Sequence, residues 1–181
     1  MKAYRQENLY RAMASPSFYP HPVHHVQIRE THISTVFLTG DWVYKVKKAV
    51  DFGFLDFSTA EKRRRFCHRE CDLNRRLTTD VYDGVIPITH RNGSFRLDGP
   101  GPAVEYAVRM RQLPDESSLA SLLARNGVAE GQIEALAALL AEFHEQQKVS
   151  PESASASWEN TRYACEENFR QTHWAVGGVL D

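Results

Sequence analysis

Residues 40–48, GDWVYKVKK, decide how the first half of this chain is read. Gly-Asp is a turn signal, and the aromatic and β-branched residues after it favour an extended strand. Side chains alternate across a strand, so Val43, Lys45 and Lys47 share one face. Lysines on alternate positions have two readings. On an edge strand they discourage pairing with a second sheet. Beside a cleft, one of them can hold phosphate.

Working outward, residues 23–39 (VHHVQIRETHISTVFLT) are rich in β-branched residues and continue the pattern as successive antiparallel strands. Before them, the proline-punctuated SPSFYPHP (15–22) breaks regularity. YRQENLYRAMA (4–14) predicts a short helix with Leu9 and Met13 on one face. After the quoted stretch, Ser58-Thr59-Ala60-Glu61 reads as a capping box, Ser58 at the N-cap and Glu61 at N3, opening a helix to about Leu77. Strands follow at GVIPIT (84–89), SFRL (94–97) and AVEYAVRM (103–110), the first two joined by the Asn-Gly hairpin signal of RNGS (91–94). The pattern then turns helical. DESSLASLLARNG (115–127) ends at Gly127, and EGQIEALAALLAEFHEQQ (130–147) puts Ile133, Leu136, Leu140 and Phe143 on one stripe. SPESASAS (150–157) reads as a polar loop, with another helix from Trp158. Strands around one helix, then helices alone, make an α+β arrangement. The expected divisions are an N-terminal extension over 1–25, a first lobe over 26–113 and a helical segment over 114–181.

Composition narrows the function classes. The 181 residues are 42% hydrophobic and 25% charged, an ordinary globular balance that argues against disorder. A net charge of -1 gives no global attraction to nucleic acid or to an anionic membrane, so any anion site must be local. Three cysteines, Cys67, Cys71 and Cys165, form no paired framework, which favours a reducing compartment. The polar N-terminus is not a signal peptide, and the longest apolar run, 135–141, is too short to span a bilayer. A cytoplasmic protein is expected.

The helix after the lysine strand supplies the second clue. Phe66, Glu70, Leu73 and Leu77 fall on one helical face, so a carboxylate stands in line with apolar residues. Burying a lone charge is unfavourable, and a cationic partner is expected. Lys45 is the candidate, because a strand lysine paired to a helix glutamate is how kinase folds aim the lysine at nucleotide phosphates. The alternative is a glutamate that snorkels to the surface.

Residues 31–77, THISTVFLTGDWVYKVKKAVDFGFLDFSTAEKRRRFCHRECDLNRRL, resemble the N-terminal domain of bacterial proteins related to the aminoglycoside phosphotransferases, in which a kinase-like domain is commonly fused to a P-loop ATP-binding domain. The likeness extends through GVIPIT, VEYAVRMRQLP and LAALLAEFHEQQ. It implies a protein-kinase-like small lobe followed by the first helices of a larger lobe. It implies ATP or GTP with Mg2+ as cofactors, and transfer of the γ-phosphoryl group to a hydroxyl of a small-molecule acceptor. Lys45 matches the phosphate-positioning lysine, with Lys47 as the fallback, and Glu70 matches its helix partner. Residues 31–34 take the place of the nucleotide loop, Thr31 and Ser34 supplying hydroxyls and Ser34 bonding a phosphate oxygen. Met110, Arg111, Gln112 and Leu113 match the hinge whose backbone pairs with the purine edge. His144 falls at a structural position.

The chain departs from that pattern in one respect: no H-x-D-x-x-x-x-N catalytic loop is present. The resemblance places that loop and the metal ligands beyond Asp181, so no catalytic or metal-binding residue is assigned within the chain. Asp51-Phe52-Gly53 has the letters of the kinase metal motif but follows Lys45 too closely, and His90-Arg91-Asn92 is a hairpin turn. EKRRRFCHRE (61–70) reads as a solvated helix face, not a nucleic-acid patch. Cys67, His68 and Cys71 lack the second ligand pair of a zinc site and read as buried thiols, and His21, His24 and His25 as a polar loop. The competing function is a catalytically dead interaction module that self-associates through its helical segment. An RNA-associated domain is a weaker third reading.

Overall fold

The lysine strand does not lie at an edge. In the computed structural model, which describes residues 5–78, 80–147 and 151–173, β3 (Trp42–Lys47) is bonded on both sides, to β2 (Ser34–Leu38) and to β6 (Ala103–Arg111). With β1 (Gln27–Glu30), β4 (Tyr82–Arg91) and β5 (Ser94–Leu97) these form a six-stranded antiparallel sheet in the order β1-β2-β3-β6-β4-β5. The fold is α+β. The last strand inserts between β3 and β4, so it contributes ladder bonds to two strands formed before it in the chain.

Alternation along β3 sends its side chains to two differently covered faces. Tyr44 and Val46 join Phe37, Ile88 and Ala107 in a core closed by Leu9 and Met13 of α1 (Gln6–Met13), with Tyr19 and Val26. Leu9 and Met13 are fully buried, and the Tyr19 hydroxyl donates to Met13 O at 2.6 Å. The segment read as an extension is therefore one layer of the fold. Lys45 and Lys47 lie on the opposite face, under α2 (Ala60–Asn74), where Cys67, Cys71 and Val108 form a smaller cluster flanked by Tyr82, Val85, Tyr106 and Met110.

Helix α2 corrects two expectations. Its N-cap is Thr59, whose hydroxyl accepts from Lys62 N–H at 3.2 Å. Ser58 is diverted because its N–H and hydroxyl both donate to Asp56 Oδ1. The inward seam is Arg63, Cys67 and Cys71, with Glu70 at its margin, whereas Leu73 and Leu77 are 48% and 40% exposed. The apolar letters suggested a stripe, but packing against β4 and β6 turned the helix toward its cysteines. Both thiols are buried, and burial pushes Cys67 up to about 12.

The turns follow sequence chemistry. Asn92 and Gly93 both have positive φ, +51° and +78°, as a two-residue hairpin between β4 and β5 requires. The D-F-G letters lie in the loop between β3 and α2, with Phe54 89% exposed and Gly53 N–H donating to Asp51 Oδ1.

The chain divides into two compact units, Met1–Gly127 and Val128–Asp181. The first also holds α3 (Leu119–Ala124). The second holds α4 (Glu130–Glu145) and α5 (Pro151–Thr172). The segment read as a polar loop is helical from Pro151, a residue favoured in the first turn because its missing N–H is not needed there. No helix among the described residues is long and apolar enough to cross a membrane.

Candidate functional site

The site is a three-residue ion cluster between β3 and α2. Lys45 Nζ lies 2.8 Å from Glu70 Oε1, and Lys47 Nζ lies 2.6 Å from Glu70 Oε2. Strand parity aims both lysines at α2, and the helical period brings Glu70 down between them. Burial pushes the Glu70 carboxyl upward, but the hydrogen bonds and charges of both lysines outweigh it and hold the group below its ordinary value. The lysines differ in access: the Lys45 side chain is 28% exposed and that of Lys47 only 5%.

The other expected nucleotide contacts are rearranged. Thr31 closes the β1–β2 turn, its N–H and hydroxyl donating to Ser34 O while its oxygen accepts from Ser34 N–H at 3.0 Å. Ser34 is fully buried and pairs across the ladder with Lys47, which puts its side chain on the same sheet face, and its hydroxyl has no hydrogen-bond partner among the described residues. The exposed tip of that turn is the backbone around His32. At the other end of β3, Met110 is half-buried beside Val43, and the ladder continues to Trp42 and Arg111. Arg111 N–H bonds Val81 O at 2.8 Å and Gln112 N–H bonds Asp41 O at 2.9 Å, so sheet pairing consumes both. The Gln112 side chain also accepts from Gly40 N–H. Leu113, 60% exposed and followed by Pro114, carries the remaining N–H at that end. His144 is exposed on α4, with its ring edge-on to Phe143.

A second buried network was not read from the sequence. Arg63 Nε donates to both Glu105 oxygens at 2.9 and 3.0 Å, and its Nη1 donates to Phe57 O at 2.7 Å. Gln6 Nε2 reaches Glu105 Oε2 at 2.8 Å and Lys47 O at 2.9 Å. The available signal was Glu105 itself, a lone carboxylate inside the apolar run AVEYAV. Arg63 was hidden among the neighbouring basic residues of α2.

Cavities adjoin the Trp42 end of β3, where one of about 450 Å³ is lined by Trp42, Tyr82 and Arg111, and other parts of the sheet. Another, of about 760 Å³, sits between α1 and the β4–β5 hairpin, lined by Arg5, Asn8, Phe18, His90 and Phe95 among others. A third, of about 480 Å³, is bordered by His24, His25 and Gln112. His21 faces Tyr44, its Nε2 3.1 Å from the hydroxyl, rather than joining the other two histidines. Among the described residues no group of three or more His, Cys, Asp or Glu side chains could hold a metal ion.

Comparison with known proteins gives a partial match. Uncharacterized proteins of Mycobacterium tuberculosis and Mycobacterium bovis are each 39% identical to this chain over 121 residues, which is 67% of the chain but 23% of each relative. The match thus covers about a quarter of their length. No family model and no solved structure matches.

Proposed function

We propose that the first unit is the nucleotide-binding lobe of a kinase-like small-molecule phosphotransferase, taking ATP or GTP. The Lys45–Glu70 pair carries this reading. It joins a central strand to the helix that follows it, the arrangement by which protein kinases hold a lysine against nucleotide phosphates. Lys45, the more accessible lysine, is the phosphate ligand, and Lys47 is too deeply buried for that role.

The order of groups along β3 also supports the reading. The hinge segment lies at the Trp42 end, the lysines follow, and the β1–β2 turn adjoins Lys47. These ends are about 17 Å apart at the usual strand rise, room for base, sugar and phosphates in sequence. Leu113 N–H serves the base edge. The acceptor hydroxyl would attack the γ-phosphorus as the bond to the β,γ-bridging oxygen breaks, its proton passing to a general base and the nucleoside diphosphate leaving.

Titration of the 181-residue chain with MgATP and MgGTP tests this. The chain is expected to bind at least one of them, and Lys45→Ala to weaken binding by about tenfold or more, the scale of a lost charge-assisted hydrogen bond. Binding unchanged by the substitution, or no binding of either nucleotide, rejects the reading.

A specific observation favours the interaction module as a second reading. Ile133, Leu136, Leu139 and Leu140 of α4 are each 41–47% exposed, an apolar stripe on one helix. Sedimentation is expected to show concentration-dependent self-association, and Leu136→Glu combined with Leu140→Glu to abolish it. A monomer at all concentrations removes this reading.

A further inference from the structure

Two ammonium groups share one carboxylate beneath α2, and they are not equivalent. Each lysine has its own Glu70 oxygen, but Lys45 keeps access to solvent while Lys47 does not. Lys47 Nζ also lies 4.9 Å from the centre of the Phe57 ring, an aromatic face that favours a desolvated cation. A carboxylate this buried loses much stability when its counter-charge leaves. With Lys45 as sole partner, every anion that drew Lys45 away would strand Glu70. Lys47 removes that conflict.

The geometry points to Lys47 as the positioning residue that holds Glu70, and with it the middle of α2, inward whether or not Lys45 is engaged by an anion. The inference rests on the nucleotide-site reading only for the identity of that anion. A second anchor lies nearer the start of the same helix, where Arg63 Nη2 meets Glu105 at 2.8 Å. Helix α2 is thus tied to the sheet by side chains other than Lys45 at these two points, and at its C-cap by Arg75 Nε donating to Tyr82 O at 2.9 Å. In kinases whose helix glutamate depends on the phosphate lysine alone, outward movement of the helix is a means of control. Here the inward position is built into the fold, and control by swinging α2 is closed off.

The test is hydrogen exchange of the α2 amides in the full chain, read beside MgATP affinity, for Lys45→Met and Lys47→Met. Lys45→Met is expected to leave α2 exchange within about twofold of the parent, and Lys47→Met to speed it by about tenfold or more, since only the latter removes the buried counter-charge. Lys47→Arg is expected to restore protection. Equal acceleration by both substitutions, or none by Lys47→Met, overturns the proposal. Should Lys47→Met not fold, adding Glu70→Met removes the stranded charge and is expected to recover the fold; failure to recover also overturns it. If no form binds MgATP, the parent included, the nucleotide reading fails while the exchange data still decide the role of Lys47.

Discussion

A chain lacking residues 1–14 is expected not to fold. The deletion removes Leu9 and Met13, both fully buried against Phe37, Tyr44, Val46, Ile88 and Ala107. Truncating either side chain to alanine alone costs about 2–5 kcal/mol, and a domain has only about 5–15 kcal/mol in total. Gln6 leaves with them. Its amide nitrogen bonds Lys47 O and Glu105, and its oxygen accepts from Ala49 N–H at 2.9 Å, so the end of β3 and a buried carboxylate each lose a partner together. Circular dichroism and denaturant titration of the shortened chain would check this. A cooperative transition at the parent midpoint would show that α1 is dispensable. Leu9→Ala offers a graded version in a chain that still folds, with an expected loss of about 2–5 kcal/mol.

Glu105→Ala is expected to destabilise the protein by about 3–5 kcal/mol, the range for breaking a buried ion pair from one side. Glu105 is fully buried and Arg63 nearly so, and the guanidinium donates to the carboxylate from more than one nitrogen. Removing the carboxylate takes away the anion that Arg63 Nε and Nη2 both meet, while the bond from Nη1 to the neutral Phe57 carbonyl stays. Replacing both partners, Arg63→Met with Glu105→Leu, is expected to recover much of the loss, because an apolar pair of similar volume needs no desolvation of charge. Chemical denaturation of the parent, Arg63→Met, Glu105→Leu and the double substitution makes a double-mutant cycle. A single-mutant loss below about 1 kcal/mol would place the network among surface-like pairs and remove it as an anchor of α2.

Much of the candidate site was legible before any coordinates. Parity along β3 put Lys45 and Lys47 on one face, and the Glu70 carboxylate in line with apolar residues of the next helix called for a cation. What the spacing could not say was that Glu70 would take both lysines, one on each oxygen. Local partners in the fold complicate the rest. Ser58 was read as a cap because its letters fit, yet Asp56 competes for the same hydroxyl. Thr31 and Ser34 were read as phosphate ligands, yet the turn that brings them together uses Thr31 and buries Ser34. Arg111 and Gln112 were read as a hinge, yet their N–H groups continue the sheet. For Ser58 and Thr31 a nearer partner in the fold takes the hydroxyl, whereas the Ser34 hydroxyl is buried with no hydrogen-bond partner among the described residues.

By itself the sequence determined the local geometry: the strands and their antiparallel turns, the Asn92-Gly93 hairpin, the lone helix between β3 and β4, and the sharing of a strand face by two lysines. Such features depend on backbone sterics and side-chain direction over a few neighbouring residues, and that information is complete within the segment. Tertiary structure alone decided which side of α2 turns inward, that β6 enters between β3 and β4, and that Gln6 meets Glu105 across 99 positions. Those outcomes are set by which distant surfaces exclude water together and which buried charges find partners, and no short-range spacing carries that sum.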